Sequence, residues 1–143
     1  MKELSGGASA GVRAKPEQCL KLLSDLEGYP RWYPELVRRV DVLGDGRARA
    51  LLHVAWGPVN HDLDVTLAVK REDPRIRLIR EAHERSDNER FEVTWNVEPV
   101  GAGSRIDLSL DAALDVPRFL PLGGIADAMA QNFVAAAARE LDE

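Results

Sequence analysis

The chain has 143 residues, 45% of them apolar and 30% charged, with a net charge of −5. This is the size and balance of one globular domain, residues 1–143, with room for a sizeable core. Without a basic face or a run of five like charges, it argues against nucleic acid as a main partner.

The opening MKELSGG has no apolar core of signal-peptide length, and no stretch approaches about 18 apolar residues. A soluble, cytoplasmic protein without stable membrane insertion is expected. Residues 3 to 13 alternate weakly, with Leu4, Ala8, Ala10 and Val12 as the inner set. Gly6, Gly7 and Gly11 make this a poor strand by propensity, which suits a sheet edge. Pro16 then opens a helix at a tolerated position, with Cys19, Leu20, Leu22, Leu23 and Leu26 on its apolar side and Gly28 at its end. Cys19, the one cysteine, allows no internal disulfide and fits a buried core thiol. Tyr29-Pro30-Arg31-Trp32-Tyr33-Pro34 holds two prolines four apart, so it is a turn or a single helical turn. It carries three of the five tyrosines and tryptophans. They either plug one end of the core or form an aromatic entrance.

From Leu36 to Leu114 the period changes to two. Val40 and Val42 alternate with Arg39 and Asp41, and Gly44-Asp45-Gly46 is a tight turn. Ala48, Ala50, Leu52, Val54 and Trp56 share a face until Gly57-Pro58 breaks the strand. Leu63, Val65, Leu67 and Val69 follow, then the Asp73-Pro74 turn, then Ile76, Leu78 and Arg80. Phe91, Val93, Trp95 and Val97 precede the turn at Gly101-Ala102-Gly103, and Ile106, Leu108, Leu110, Ala112 and Leu114 complete the series. Links this short permit only antiparallel neighbours, and alternation this regular means one buried and one wet face. The wet face, with Arg49, Glu92, Asp107 and Asp111, mixes signs.

Pro117 and Pro121 bar a helix before about Leu122, and Gly123 and Gly124 weaken its first turn. From Ile125 a helix runs on, with Leu122, Ile125, Met129, Phe133, Ala136 and Ala137 on one face. Asp127, Gln131, Ala135, Ala138, Arg139 and Asp142 lie opposite, and Asn132 falls at the edge of the apolar face. It is the one element long enough to cover the sheet.

The stretch from Val12, VRAKPEQCLKLLSDLEGYPRWYPELVRRVDVL, resembles the N-terminal block of the START-like (SRPBCC) helix-grip superfamily: strand, Ala-x-Pro, helix, Tyr-Pro-x-Trp-x-Pro, valine-rich strand. Within it the chain is similar to the polyketide cyclase/dehydrase group, which includes coenzyme Q-binding and ribosome-association-toxin-like proteins. The order of elements matches over nearly the whole chain, while three glycines in the first strand depart from the usual pattern. The resemblance implies an α+β helix-grip fold: a curved antiparallel sheet of about seven strands on a long C-terminal helix, with two short helices after the first strand. It implies a cavity between sheet and helix for lipids, quinones or polyketides, and most such proteins bind or carry rather than catalyse. Fold alone does not decide between the two.

No phosphate loop, dinucleotide fingerprint, HExxH or nucleophile elbow is present, so no cofactor and no metal are expected. His53 lies on the wet face with no third ligand suggested for it and His61. Asp62 and Asp64 read as a solvated face before they read as an acid/base pair. The expected ligand-binding residues are Trp32, Trp56, Leu78, Arg80, Trp95, Leu122, Ile125, Met129, Asn132 and Phe133. Arg80 continues the inner series of Ile76 and Leu78 unless a bulge turns it out, and Asn132 either caps a ligand or bonds to the sheet. Three functions compete: a carrier of a small hydrophobic molecule, an aromatase/cyclase-like enzyme using Arg80, Tyr29 and Tyr33, and an interaction module acting through its outer surface. A monomer or weak homodimer is expected. Access is expected beside Phe119 to Gly124, with Phe119, Leu120, Leu122 and Ile125 as an apolar rim.

Overall fold

The strands pair as the alternation requires, each with its inner face turned to one core. The computed structural model describes residues 2–56, 59–82, 89–114 and 124–142, the side chains of Trp56, Val59 and His61 excepted. In chain order the elements are β1 (Lys2–Val12), α1 (Pro16–Ser24), a tight helical turn (Leu26–Gly28), α2 (Tyr29–Trp32), β2 (Val37–Gly44) and β3 (Arg47–Trp56). Then come β4 (Val59–Glu72), β5 (Arg75–Arg80), β6 (Arg90–Val100), β7 (Gly103–Leu114) and α3 (Ile125–Leu141). One seven-stranded sheet runs β1-β7-β6-β5-β4-β3-β2, antiparallel throughout. β2 to β7 form a meander, and β1 closes its far side by pairing with β7 from Lys2↔Leu114 to Val12↔Ser104.

The inner face is apolar from β3 to β7: Ala48, Ala50, Leu52, Val65, Leu67, Ile76, Leu78, Phe91, Val93, Trp95, Val97, Ile106, Leu108, Leu110 and Ala112 are all buried. The turn Gly44-Asp45-Gly46 places three successive residues at positive φ, 94°, 54° and 73°, a conformation glycine adopts without strain.

β1 explains its own glycines. Gly6 lies on the inner face opposite Leu110, and a Cβ there would stand 2.5 Å from Ala126 C and Asp127 N of α3. The helix backbone therefore rests directly on the strand. Two backbone-to-carboxylate bonds pin it: Gly7 N–H to Asp127 Oδ1 at 3.1 Å and Arg13 N–H to Asp142 Oδ1 at 2.9 Å. Six strand residues rise about 20 Å and fifteen helical residues about 22 Å, so β1 and α3 run side by side in one direction.

Three expectations are corrected. α1 stops at Ser24 rather than Gly28, because Asp25 leaves helical dihedrals (φ −91°, ψ 85°) and Leu26–Gly28 forms a separate turn. Val42 is 58% exposed, because β2 is an edge strand whose register shifts beside it interrupt the alternation. The buried side of α3 is turned toward its alanines: Ala126, Ala130 and Val134 are buried beside Ile125, Phe133, Ala136 and Ala137, while Met129 is half-buried. Small residues face β1 because only they permit the contact at Gly6. The expected break at Gly57-Pro58 and the lead from Pro117 to Gly123 lie outside the described residues.

Candidate ligand-binding site

Trp95 alternates inward in β6, in register with Ile76 on one side and Leu108 on the other, and is fully buried. Phe133 reaches it from α3, with ring centroids 5.3 Å apart in an edge-to-face arrangement. From the opposite end of the sheet, the Tyr-Pro-x-Trp-Tyr segment delivers three more rings. Pro30 fits the first turn of α2, the helix closes with Tyr33 N–H bonded to Tyr29 O at 2.8 Å, and Pro34 follows. Phe133 thus meets Tyr29 at 5.8 Å, Trp32 at 5.8 Å and Tyr33 at 5.0 Å. Tyr29 also packs on Trp32 at 4.6 Å. An Arg31–Glu140 ion pair ties α2 to α3 at the surface. Five aromatic rings therefore fix one end of the interface between sheet and helix, each pair adding a geometric preference to its buried area.

Their polar atoms differ in fate. The Tyr29 hydroxyl donates to Leu23 O at 2.5 Å, and complete burial pushes its pKa far up. Tyr33 is pushed up to about 12, first by burial and then by the Glu35 carboxylate. The indole nitrogens of Trp32 and Trp95 are buried without a hydrogen-bond partner. Trp95 Nε1 faces the Tyr29 hydroxyl oxygen, outside ordinary bond geometry but near enough to act against the effect of burial on that phenol.

Arg80 takes the inner position. Its Cα stands opposite that of buried Leu67 with no register shift in the pairing, so no bulge turns it outward. It is half-buried, and Nη1 donates to Glu89 O at 2.9 Å across the β5–β6 connection. Of the other expected site residues, Trp32, Leu78, Trp95, Ile125 and Phe133 are buried on the sheet–helix interface and Met129 is half-buried. Asn132 is a correction: it is exposed, because α3 is turned toward its alanine stripe and carries this position to solvent. Leu122 and the Trp56 side chain lie outside the described residues, as do Phe119 and Leu120 of the expected rim. Tyr29 and Tyr33, expected at an entrance or a plug, pack as a plug around Phe133.

The outer face is a lattice of exposed ion pairs. Arg49 grips Asp64 at 2.8 and 2.6 Å, Arg47 grips Glu81, and His53 Nδ1 stands 2.6 Å from Asp62 Oδ1. Asp62 and Asp64 thus pair with different side chains, His53 and Arg49, rather than with one another. Among the described residues, no three metal-ligating side chains gather, and no helix is long and apolar enough to cross a membrane.

A seven-stranded antiparallel sheet against a long C-terminal helix, with short helices after the first strand, defines an α+β protein of the START-like helix-grip class. The chain matches the family model for polyketide cyclase / dehydrase and lipid transport over residues 12–141, and it belongs to that family. Its structure is similar to a START superfamily protein from Mycobacterium smegmatis, with TM-score 0.79, 16% identity and 96% of each chain covered. It is also similar to a protein from Thermus thermophilus, with TM-score 0.72, 25% identity, and 97% of this chain and 94% of that one covered. Against the di-domain ARO/CYC BexL from the BE-7585A biosynthetic pathway the TM-score is 0.62 at 20% identity, covering 97% of this chain and 46% of that one. No curated protein matches the sequence.

Proposed function

We propose that the chain binds and carries a small, mainly apolar molecule between the inner face of the sheet and α3. The observation that carries this reading is a mismatch of widths. Seven strands at about 4.8 Å spacing span about 29 Å, while a helix with its side chains is about 10–12 Å across. α3 lies against β1 and β7, where Gly6 admits its backbone, while the apolar inner face continues through β6, β5, β4 and β3, met from β7 to β4 by the nine-residue α1. A sheet that curls round such a helix and remains apolar beyond it suits a concave apolar site. The family's description includes lipid transport, which agrees.

Leu78, Trp95, Met129, Phe133 and Trp32 would line this site, with Arg80 at its β5 end. A carrier fits these residues better than an aromatase/cyclase does. The Tyr29 hydroxyl is buried and held by Leu23 O, Tyr33 is raised to about 12, and the Arg80 guanidinium donates to Glu89 O. None is poised to move protons near neutral pH. Native mass spectrometry after mild purification, with thermal-shift screening against lipids, quinones and aromatic polyketides, tests the reading. A bound mass or a specific rise in Tm is expected. A crystal structure whose interior has room only for water would end it.

A further inference from the structure

The sheet has two edges, and the helix covers one of them. At β1, α3 lies along the strand and its Asp127 carboxylate accepts the Gly7 N–H. At β2, only β3 hydrogen-bonds to the backbone between Arg39 and Leu43 among the described residues. Of the three exposed large apolar side chains among those residues, two stand on this strand, Val42 and Leu43. An open edge strand is a template for a further strand.

Proteins blunt such edges with charges and bulges, and β2 carries both. Register shifts beside Arg38 and Leu43 leave Arg39 to Val42 as its regular stretch. Its charges, however, are one of each sign on one face. Arg39 and Asp41 both lie exposed on the outer side of the sheet, Nε 3.1 Å from Oδ2, and Asp41 stands opposite Arg49 of β3. Two like charges would repel a copy of the strand, whereas this pair selects among its registers.

Directly opposite residues of an antiparallel pair share a face, so a second β2 can be shifted only in steps of two residues. With Val40 opposite Val40 of the second copy, Arg39 meets that copy's Asp41, and Asp41 meets its Arg39. The outer face then holds a closed square of alternating charges, each carboxylate between two guanidiniums. One step in either direction sets Arg39 opposite Arg39, or Asp41 opposite Asp41, and like charges directly opposite are destabilising.

We infer that β2 is an interface between two copies of this chain, paired antiparallel about a twofold axis at Val40, so that two seven-stranded sheets become continuous. Val42 and Leu43, at the end of the paired stretch, lose water to the second copy. The regular stretch is short, so the dimer is weak and reversible, at the low end of interface size. The inference does not depend on the carrier reading.

Sedimentation equilibrium of the whole chain from micromolar to millimolar concentration, with charge exchange, tests it. A reversible monomer–dimer equilibrium is expected. The twofold doubles every contact, so R39D and D41R each replace two attractive pairs by two like-charged ones. Each should raise the dimer Kd about tenfold or more, with the thermal melt little changed because both side chains are exposed. Mixed in equal amounts, the two variants should pair with one another about as well as the unsubstituted chain pairs with itself, since each then meets only opposite charges. Amide exchange needs no variant: amides between Arg39 and Val42 should exchange more slowly as the concentration of the unsubstituted chain rises. A chain that stays monomeric at millimolar concentration overturns the inference. So does a dimer that neither substitution weakens, a mixture of the two variants that does not pair, or exchange at Arg39 to Val42 that ignores concentration.

Discussion

Replacing Gly6 by alanine should lift α3 from the sheet. The added Cβ would meet Ala126 C and Asp127 N at 2.5 Å and Ala126 O at 2.8 Å. These are backbone atoms of a helix and cannot rotate away. To restore ordinary contact at 3.4 Å, the helix must retreat by about 0.9 Å, which would also stretch the neighbouring Gly7–Asp127 bond. Overpacking of this kind costs about 1–3 kcal/mol, and in a chain of this length each kcal/mol moves Tm by roughly 3 °C. Gly11 is the control. It lies in the same strand, a Cβ there meets nothing within 4 Å, and neither glycine has positive φ. Gly11→Ala should therefore be neutral or stabilising by about 0.5–1 kcal/mol through the unfolded chain. Urea unfolding of both variants, with thermal melts, measures the difference. If Gly6→Ala and Gly11→Ala unfold at the same urea concentration, α3 does not rest on β1 as described.

Phe133→Ala should cost about 3–5 kcal/mol, because four rings lose their common neighbour, and near-ultraviolet circular dichroism should show the loss of aromatic order. The chain's two tyrosines should resist ionisation. Tyr33 titrates near 12 when folded and Tyr29 higher, against about 10 unfolded, so the unfolded chain loses these protons first. Their contribution to stability is complete below about pH 10 and is lost as pH rises toward 12; phenolate absorbance that appears well before unfolding would contradict their burial. Arg80→Ala should leave binding of a neutral apolar ligand intact while speeding amide exchange around Glu89, whose carbonyl it holds.

The order of elements was legible because alternation and punctuation are local signals. Short turns at Gly44–Gly46, Asp73–Pro74 and Gly101–Gly103 dictated an antiparallel meander, and the inner residues of β3 to β7 could be read by counting twos. What escaped depends on contacts distant in sequence. The glycines of β1 looked like weak strand formers, and only the approach of Ala126, 120 residues later, gives Gly6 its role. The same contact turns α3. A helical wheel weights bulky side chains and so favoured Leu122, Met129 and the edge position of Asn132, whereas close packing selected Ala126 and Ala130 and exposed Asn132. Val42 was read inward from alternation, but no pattern within β2 announces that it is an edge strand with register shifts. The aromatic segment before β2 was visible by composition. Its assembly around one phenylalanine, with two indole donors left unpaired, was not, since rings separated by about a hundred residues meet only in the fold.

The most direct test of the carrier account is the footprint of a bound ligand on the assigned amide and side-chain spectrum. A compound chosen from the thermal-shift screen is titrated into labelled protein to saturation. The account predicts a one-to-one complex whose perturbations fall on inner-face and helix positions, above all Leu78, Trp95, Met129 and Phe133, and leave the outer pairs Arg49–Asp64 and His53–Asp62 unmoved. Saturable binding whose perturbations cluster on that outer face, with Trp95 and Phe133 unchanged, would contradict it.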